Sequence, residues 1–218
     1  MNTNTNTKGA GLAAFLLMSL AVLCACGDNE QVRFPNRDNF TATVNDFLAQ
    51  RGHVCLAKYD WPIAVATGSL SADAQQMPVL EKIGLVSGRD IVRRDASGND
   101  DTAREYSLTA EGRKFYRHEP VVIRTATRNV VHPADFCVAS LTLDRLLGWE
   151  APQTRDGRTG TSLLFTYRIA PEPWAAAPEV LRAFPLLAHA IQNEKTMQVR
   201  LGVHLTPHGW VADELDEH

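Results

Sequence analysis

The chain has 218 residues, and its 22 lysines and arginines against 25 aspartates and glutamates give a formal net charge of −3 at pH 7. It has no block of basic residues that could follow a row of phosphates, so charge argues against nucleic acid as a partner.

Residues 1–25 differ in composition from the rest of the chain. The apolar run from Leu12 to Val22 spans about 11 residues, whereas a helix that crosses a bilayer needs about 20. That length is typical of the central region of a signal peptide. We therefore predict a signal peptide over residues 1–25.

The segment Leu23-Cys24-Ala25-Cys26 resembles the lipobox of bacterial lipoprotein precursors. Cleavage before Cys24 would place the bulky Leu23 next to the cut, so Cys26 is the expected lipidation site. The resemblance implies that Cys26 takes a diacylglycerol through a thioether and an acyl chain on its new amino group, which together give stable anchoring. The alternative is an ordinary secretory signal that ends in small residues.

Gly27 directly follows this cysteine, and Asp28 comes one position later. In Gram-negative lipoproteins an aspartate directly after the cysteine retains the protein in the inner membrane. The resemblance therefore implies the periplasmic face of the outer membrane, with the inner membrane as the alternative. Residues 26–37 are polar and aperiodic and predict a lipidated, flexible tether.

Two cysteines, Cys55 and Cys137, remain for the folded body. An oxidising periplasm favours a disulfide between them. Two separate buried thiols are the alternative, because both cysteines lie in apolar, strand-like stretches.

The first half of the body predicts helices and a hairpin. Apolar residues at helical spacing between Phe40 and Leu48 predict a helix that is capped by Asp38 or Asn39 and ends at Gly52. A second helix is expected from Ser71, or from Pro78, to Ile83.

A charged hairpin should follow, with strands at 85–93 and 104–108, and then a short helix capped by Thr109. The succession of helix, hairpin and the segment YSLTAEGR resembles the C-terminal part of a winged-helix domain. The resemblance does not carry DNA binding, because no basic recognition helix is present and the hairpin has both signs of charge.

The sequence of the second half predicts mainly β-strands. Two antiparallel strands are expected at 136–149 and 162–169, then a helix from Ala177 or Pro178 that Pro185 interrupts. Alternating apolar residues from Met197 to Leu205 predict a strand with one buried and one wet face, followed by a return strand at Trp210.

These elements predict an α+β fold, in which a winged-helix-like portion packs with a C-terminal antiparallel sheet that carries one helix. The expected division is a helical, winged-helix-like subdomain over 38–119 and a sheet-plus-helix subdomain over 120–218. Segments such as DFCVASLTLDRLLGWEAP are similar to those of uncharacterised Gram-negative envelope proteins, which supplies no activity.

The sequence contains no nucleophile, phosphate-loop or dinucleotide motif. His132 and Asp135 could form a base and its orienting carboxylate in a hydrolase, although a local turn is the simpler interpretation. His204 and His208 share no ligand-type neighbours, so neither a metal nor a cofactor is expected.

Five aromatic residues lie at strand ends or beside proline or glycine, and they are the candidate ligand or partner face: Trp61, Trp149, Tyr167, Trp174 and Trp210. We therefore expect a non-catalytic envelope lipoprotein that binds a protein partner or a small ligand. The alternatives are the hydrolase and an immunity or inhibitor lipoprotein.

Overall fold

The computed structural model describes residues 30–94, 98, 100–118 and 120–216. The predicted signal peptide and the expected lipidation site, Cys26, lie outside the described residues. The helices are α1 (Glu30–Arg33), α2 (Arg37–Arg51), α3 (Ala72–Lys82), α4 (Pro178–Ala183) and α5 (Pro185–Gln192). The strands are β1 (His53–Cys55), β2 (Ile63–Ala66), β3 (Val86–Arg94), β4 (Asp100–Leu108), β5 (Tyr116–Arg117), β6 (Val121–Arg124), β7 (Asn129–His132), β8 (Asp135–Trp149), β9 (Gln153–Arg155), β10 (Arg158–Pro171), β11 (Gln198–Thr206) and β12 (Gly209–Ala212).

The fold is a mixture of helices and mostly antiparallel sheet. The main sheet has the order β1-β8-β10-β11-β12, with β5 also paired to β8 and β9 to β10. The predicted antiparallel pairing of the two long strands is confirmed, because β8 and β10 pair from Trp149 opposite Leu163 to Ala139 opposite Pro171. The predicted return strand is β12, which pairs with β11.

A smaller sheet lies in the first half of the chain, with the order β2-β4-β3. The predicted hairpin forms, but its return strand begins at Asp100 rather than at residue 104. Thr109 accepts a hydrogen bond from the Gly112 N–H at 3.0 Å, but the N-cap of the 3-10 helix Gly112–Phe115 is Glu111, so the predicted cap lies two residues too early. Strands β6 and β7 form a separate two-stranded hairpin.

Two hydrophobic cores stabilise the part of the chain that the structure describes. The first core joins α3 and the hairpin to one end of the main sheet through residues such as Met77, Phe136 and Tyr167. The second core packs α2 against β10, β11 and β12 through residues such as Phe40 and Phe165. Each core draws residues from both sides of the predicted boundary between 119 and 120.

The start of α2 corrects a prediction. The N-cap is Asn36, whose side-chain oxygen accepts a hydrogen bond from the Asn39 N–H at 2.9 Å, so the predicted caps Asp38 and Asn39 both lie inside the helix. An asparagine cap satisfies one of the backbone N–H groups that a helix start leaves open.

The other helix boundaries follow local sequence signals. Ser71 is the N-cap of α3, which leaves Pro78 inside the helix and decides between the two predicted starts. The predicted interruption at Pro185 is confirmed, because α4 ends at Ala183 and α5 begins at Pro185.

The end of the predicted tether is packed on the body. Residues Glu30–Arg33 form α1, which contacts β12, and the Trp210 indole N–H donates to the Arg33 carbonyl at 3.0 Å. The Asn39 amide donates to the carbonyls of Gln31 and Phe34. A polar, aperiodic segment is therefore ordered here, because side chains of the body satisfy its carbonyl groups.

The predicted disulfide is confirmed, with Cys55 of β1 bonded to Cys137 of β8 across a sequence separation of 82 residues. The two cysteines face each other in the strand ladder, next to a register shift. The bond therefore fastens the short edge strand β1 to the longest strand of the main sheet.

Candidate ligand-binding cleft

One face of the main sheet is open near β11. Leu201 and Val203 of β11 point into the second core under α2. Since side chains alternate along a strand, Gly202 and His204 point to the opposite face. A cavity of about 590 Å³ lies on that face, and its lining includes Glu150, Gln153, Arg155, Arg158, Gly160, Ser162, Gly202, His204, Asp213 and Asp216.

Small residues form the floor of this cavity. Gly160 pairs with His204 and Ser162 pairs with Gly202 across β10 and β11. A Cβ on Gly202 would lie 2.5 Å from Oδ2 of Asp213. The missing side chain at residue 202 therefore lets the Asp213 carboxylate lie directly over the strand.

A cluster of charged groups borders one end of the floor. The His204 imidazole is buried, and its Nδ1 lies 2.8 Å from Oδ1 of Asp213 while its Nε2 lies 2.7 Å from Oδ2 of Asp216. Nη2 of Arg158 lies 3.0 Å from the same Asp213 oxygen and 2.7 Å from His204 Nδ1. Two carboxylates thus face an imidazole and a guanidinium.

A second ion pair borders the other end. Arg200 and Glu150 form a salt bridge, and the Glu150 N–H donates to the Ser162 carbonyl at 3.0 Å. Arg200 lies on the same face of β11 as Gly202, two residues away, so the glycine separates the two charged groups.

A second cavity adjoins this site near the end of β8. A smaller cavity of about 230 Å³, bordered by Trp149, Arg200 and Leu164, shares Glu150 and Ser162 with the first cavity. We call the two adjoining cavities the cleft. Trp149 is 36% exposed, and its ring packs on Phe40 with centroids 5.0 Å apart. Because Trp149 pairs with Leu163 of the second core, its ring lies on the α2 side of the sheet, and the cleft itself offers charges of both signs.

The geometry of His204 favours binding over proton transfer. Both ring nitrogens lie within hydrogen-bond distance of a carboxylate oxygen. A general base needs a nitrogen within reach of the substrate proton, and in this arrangement the carboxylates occupy both directions. The cluster can instead offer the guanidinium and carboxylate edges to a polar ligand.

The five predicted aromatic residues do not form a single face. Trp61, Tyr167 and Trp174 pack in the first core, Trp210 is buried in the second, and the partly exposed Trp149 packs on Phe40 at the border of the second core. The Tyr167 hydroxyl donates to the Ala190 carbonyl at 3.0 Å. Burying such large rings stabilises the core more than an exposed position would.

His132 and Asp135 have separate partners. Nδ1 of His132 lies 2.9 Å from Oδ2 of Asp60, and its ring stacks on Tyr59 at 4.3 Å between centroids. Asp135 is buried and accepts hydrogen bonds from the backbone N–H groups of Lys58 and Phe136. Burial raises the pKa of Asp135, although these hydrogen bonds oppose the shift.

Sequence reasoning missed the His204 cluster. It placed His204 on the wet face of a strand, whereas the structure buries the imidazole beneath Asp213 and Asp216. The sequence did contain a usable signal, which is the acidic segment that follows β12. Because a two-residue turn pairs β12 antiparallel with β11, this segment comes to lie beside β11. Within 30–94, 98, 100–118 and 120–216, no group of three or more His, Cys, Asp or Glu side chains is arranged to hold a metal ion.

Comparisons with protein-family models, curated proteins and solved structures gave no match. In the part of the chain that the structure describes, none of the helices has the length and apolar character needed to cross a membrane.

Proposed function

We propose that this protein is a lipid-anchored protein of the bacterial cell envelope with a non-catalytic binding role, and that it binds its partner at the cleft. The observation that carries the binding role is the small-residue floor between two charged groups. The lipobox-like segment that ends at Cys26 supports the anchor.

Mass spectrometry and membrane fractionation test the lipid anchor. Mass spectrometry of the mature protein should find an N-terminal Cys26 that carries a diacylglycerol and an amide-linked acyl chain. Membrane fractionation should then place the protein in the outer membrane, as Gly27 implies, rather than the inner membrane. A mature chain that begins elsewhere, or an unmodified Cys26, would refute the anchor.

The cleft favours a partner that carries charges of both signs. Arg155 and Arg158 offer donors, while Glu150, Asp213 and Asp216 offer acceptors. A protein segment or a small zwitterionic ligand would match this arrangement.

Photocrosslinking in intact cells tests the cleft. A photoreactive residue at Gln153 should capture a specific partner, whereas the same residue at Leu70, which is 93% exposed between β2 and α3, should not. Arg158→Gln should reduce the Gln153 crosslink. Arg182→Gln, at an exposed arginine of α4, is the matched control and should leave it unchanged.

Equal crosslinking from Gln153 and Leu70, or no effect of Arg158→Gln, would refute the cleft as the binding site. Recovery of a small molecule with the purified protein instead of a crosslinked polypeptide would assign the same site to a low-molecular-weight ligand.

We also propose that the winged-helix-like portion lies within residues 38–119. The order β2-β4-β3, with α3 leading into the hairpin, supports this comparison. Cross-strand ion pairs such as Arg89 with Glu105 and Arg104 with Asp90 neutralise the hairpin, which argues against a role in binding phosphates.

A further inference from the structure

The segment around α1 combines a fixed backbone with an exposed aromatic side chain. The Trp210 indole N–H donates a hydrogen bond to the Arg33 carbonyl, and the Asn39 side-chain amide donates one to the Phe34 carbonyl at 2.9 Å. The backbone of Phe34 is thus tied to β12 and α2. Phe34 is nevertheless 58% exposed, so its backbone is fixed while its ring projects into solvent.

This ring lies close in sequence to the expected anchor. Three residues, 27–29, separate Cys26 from Glu30 at the start of α1. Four extended steps span at most about 14 Å, which is less than half the thickness of a bilayer. An acylated Cys26 lies at the membrane surface, so the surface formed by α1 and β12 must lie next to that membrane.

We propose that Phe34 inserts into the interfacial layer of the membrane and that the protein stands on the bilayer through the surface of α1 and β12. This inference rests on the proposed lipid anchor. The occupant of the exposed apolar site is lipid, because the short link to Cys26 leaves little space for another protein between α1 and the headgroups.

The charges near Phe34 make the contact apolar rather than electrostatic. Glu30 and Asp38 balance Arg33 and Arg37 within the same stretch. Attraction to anionic lipid headgroups therefore contributes little, and insertion should be similar in zwitterionic and anionic bilayers and insensitive to salt.

Fluorescence of the full lipidated protein in phosphatidylcholine vesicles tests this contact. A probe sensitive to polarity is attached at Phe34→Cys or, as a matched control, at Leu186→Cys on α5, where the native leucine is 85% exposed. We expect the emission maximum of the probe at residue 34 to shift to the blue, and nitroxide-labelled lipid to quench most of its fluorescence. The probe at residue 186 should show neither effect.

A second pair of variants tests Phe34 itself. A probe at Glu30→Cys should also respond to the nitroxide lipid, and adding Phe34→Ser should reduce that response. Mass spectrometry of the same samples reports acylation of Cys26. Acylated protein with equal emission from residues 34 and 186 would overturn only the inserted Phe34, whereas an unacylated Cys26 would overturn the anchor and the inference together.

Discussion

Gly202 and Asp213 fit together only because residue 202 has no side chain, since a Cβ there would lie 2.5 Å from Asp213 Oδ2. The carboxylate is the end of a flexible side chain, so the strand should stay in place while Asp213 moves. Gly202→Ala should therefore break the hydrogen bond from His204 to Asp213 and lower the free energy of unfolding by about 1 kcal/mol.

Urea unfolding and NMR of the His204 ring measure these effects. Gly148→Ala is the control, because a Cβ on Gly148 would meet no heavy atom of the described residues within 4 Å apart from its own chain neighbours. An unchanged His204 ring signal in Gly202→Ala would show that the contact does not position Asp213.

The disulfide between Cys55 and Cys137 should contribute strongly to stability. It joins residues 82 positions apart. In the chain-entropy model, closing a loop of that length raises the free energy of the unfolded chain by about 4.5 kcal/mol. Replacing both cysteines with serine should lower the free energy of unfolding by about this amount. Urea midpoints of oxidised wild type and the double variant should differ, and reductant should shift the wild type alone.

Asp135 should make stability depend on pH. Burial raises its pKa in the folded protein, so the folded state binds a proton there more tightly than the unfolded chain does. Its contribution to the free energy of unfolding is fully present below the ordinary aspartate pKa and is lost as pH rises through the raised value. Asp135→Asn, which stays neutral, should lack this loss.

Free energies of unfolding measured at a series of acidic to neutral pH values check the prediction. The stability of Asp135→Asn relative to wild type should increase with pH through that window and then become constant. A difference that is the same at every pH would contradict a raised pKa at Asp135.

Trp210 should hold α1 on the body. Trp210→Phe keeps a ring near Phe40 but removes the N–H that donates to the Arg33 carbonyl. We expect faster hydrogen exchange in α1 and a loss of about 1 kcal/mol in the free energy of unfolding. Trp149→Phe, which also contacts Phe40, should leave exchange in α1 unchanged. Equal exchange in both variants would mean that other contacts hold the helix.

Local patterns predicted the elements that local chemistry determines. The alternation along β11 identified its buried face, and Pro185 identified the break between α4 and α5. Both signals act within a few residues and need no knowledge of the tertiary structure.

The cleft depends on tertiary contacts that the sequence pattern does not encode. A polar residue on the outer face of a strand gives the same alternation whether it meets water or, like His204, two carboxylates. Likewise, tryptophans at strand ends have the same local sequence context whether they are buried in a core or exposed at its border. Burial of Trp210 and exposure of Trp149 follow from the placement of α2 over the sheet.

Strand β10 links the two halves of the molecule mechanically. Phe165 belongs to the second core and Tyr167 to the first, although one residue separates them, and a register shift between Thr166 and Tyr167 leaves Asp144 of β8 as the extra residue. Displacement of this strand would disrupt both cores at once. The folded body should therefore unfold cooperatively, and a protease should cleave it only after global unfolding.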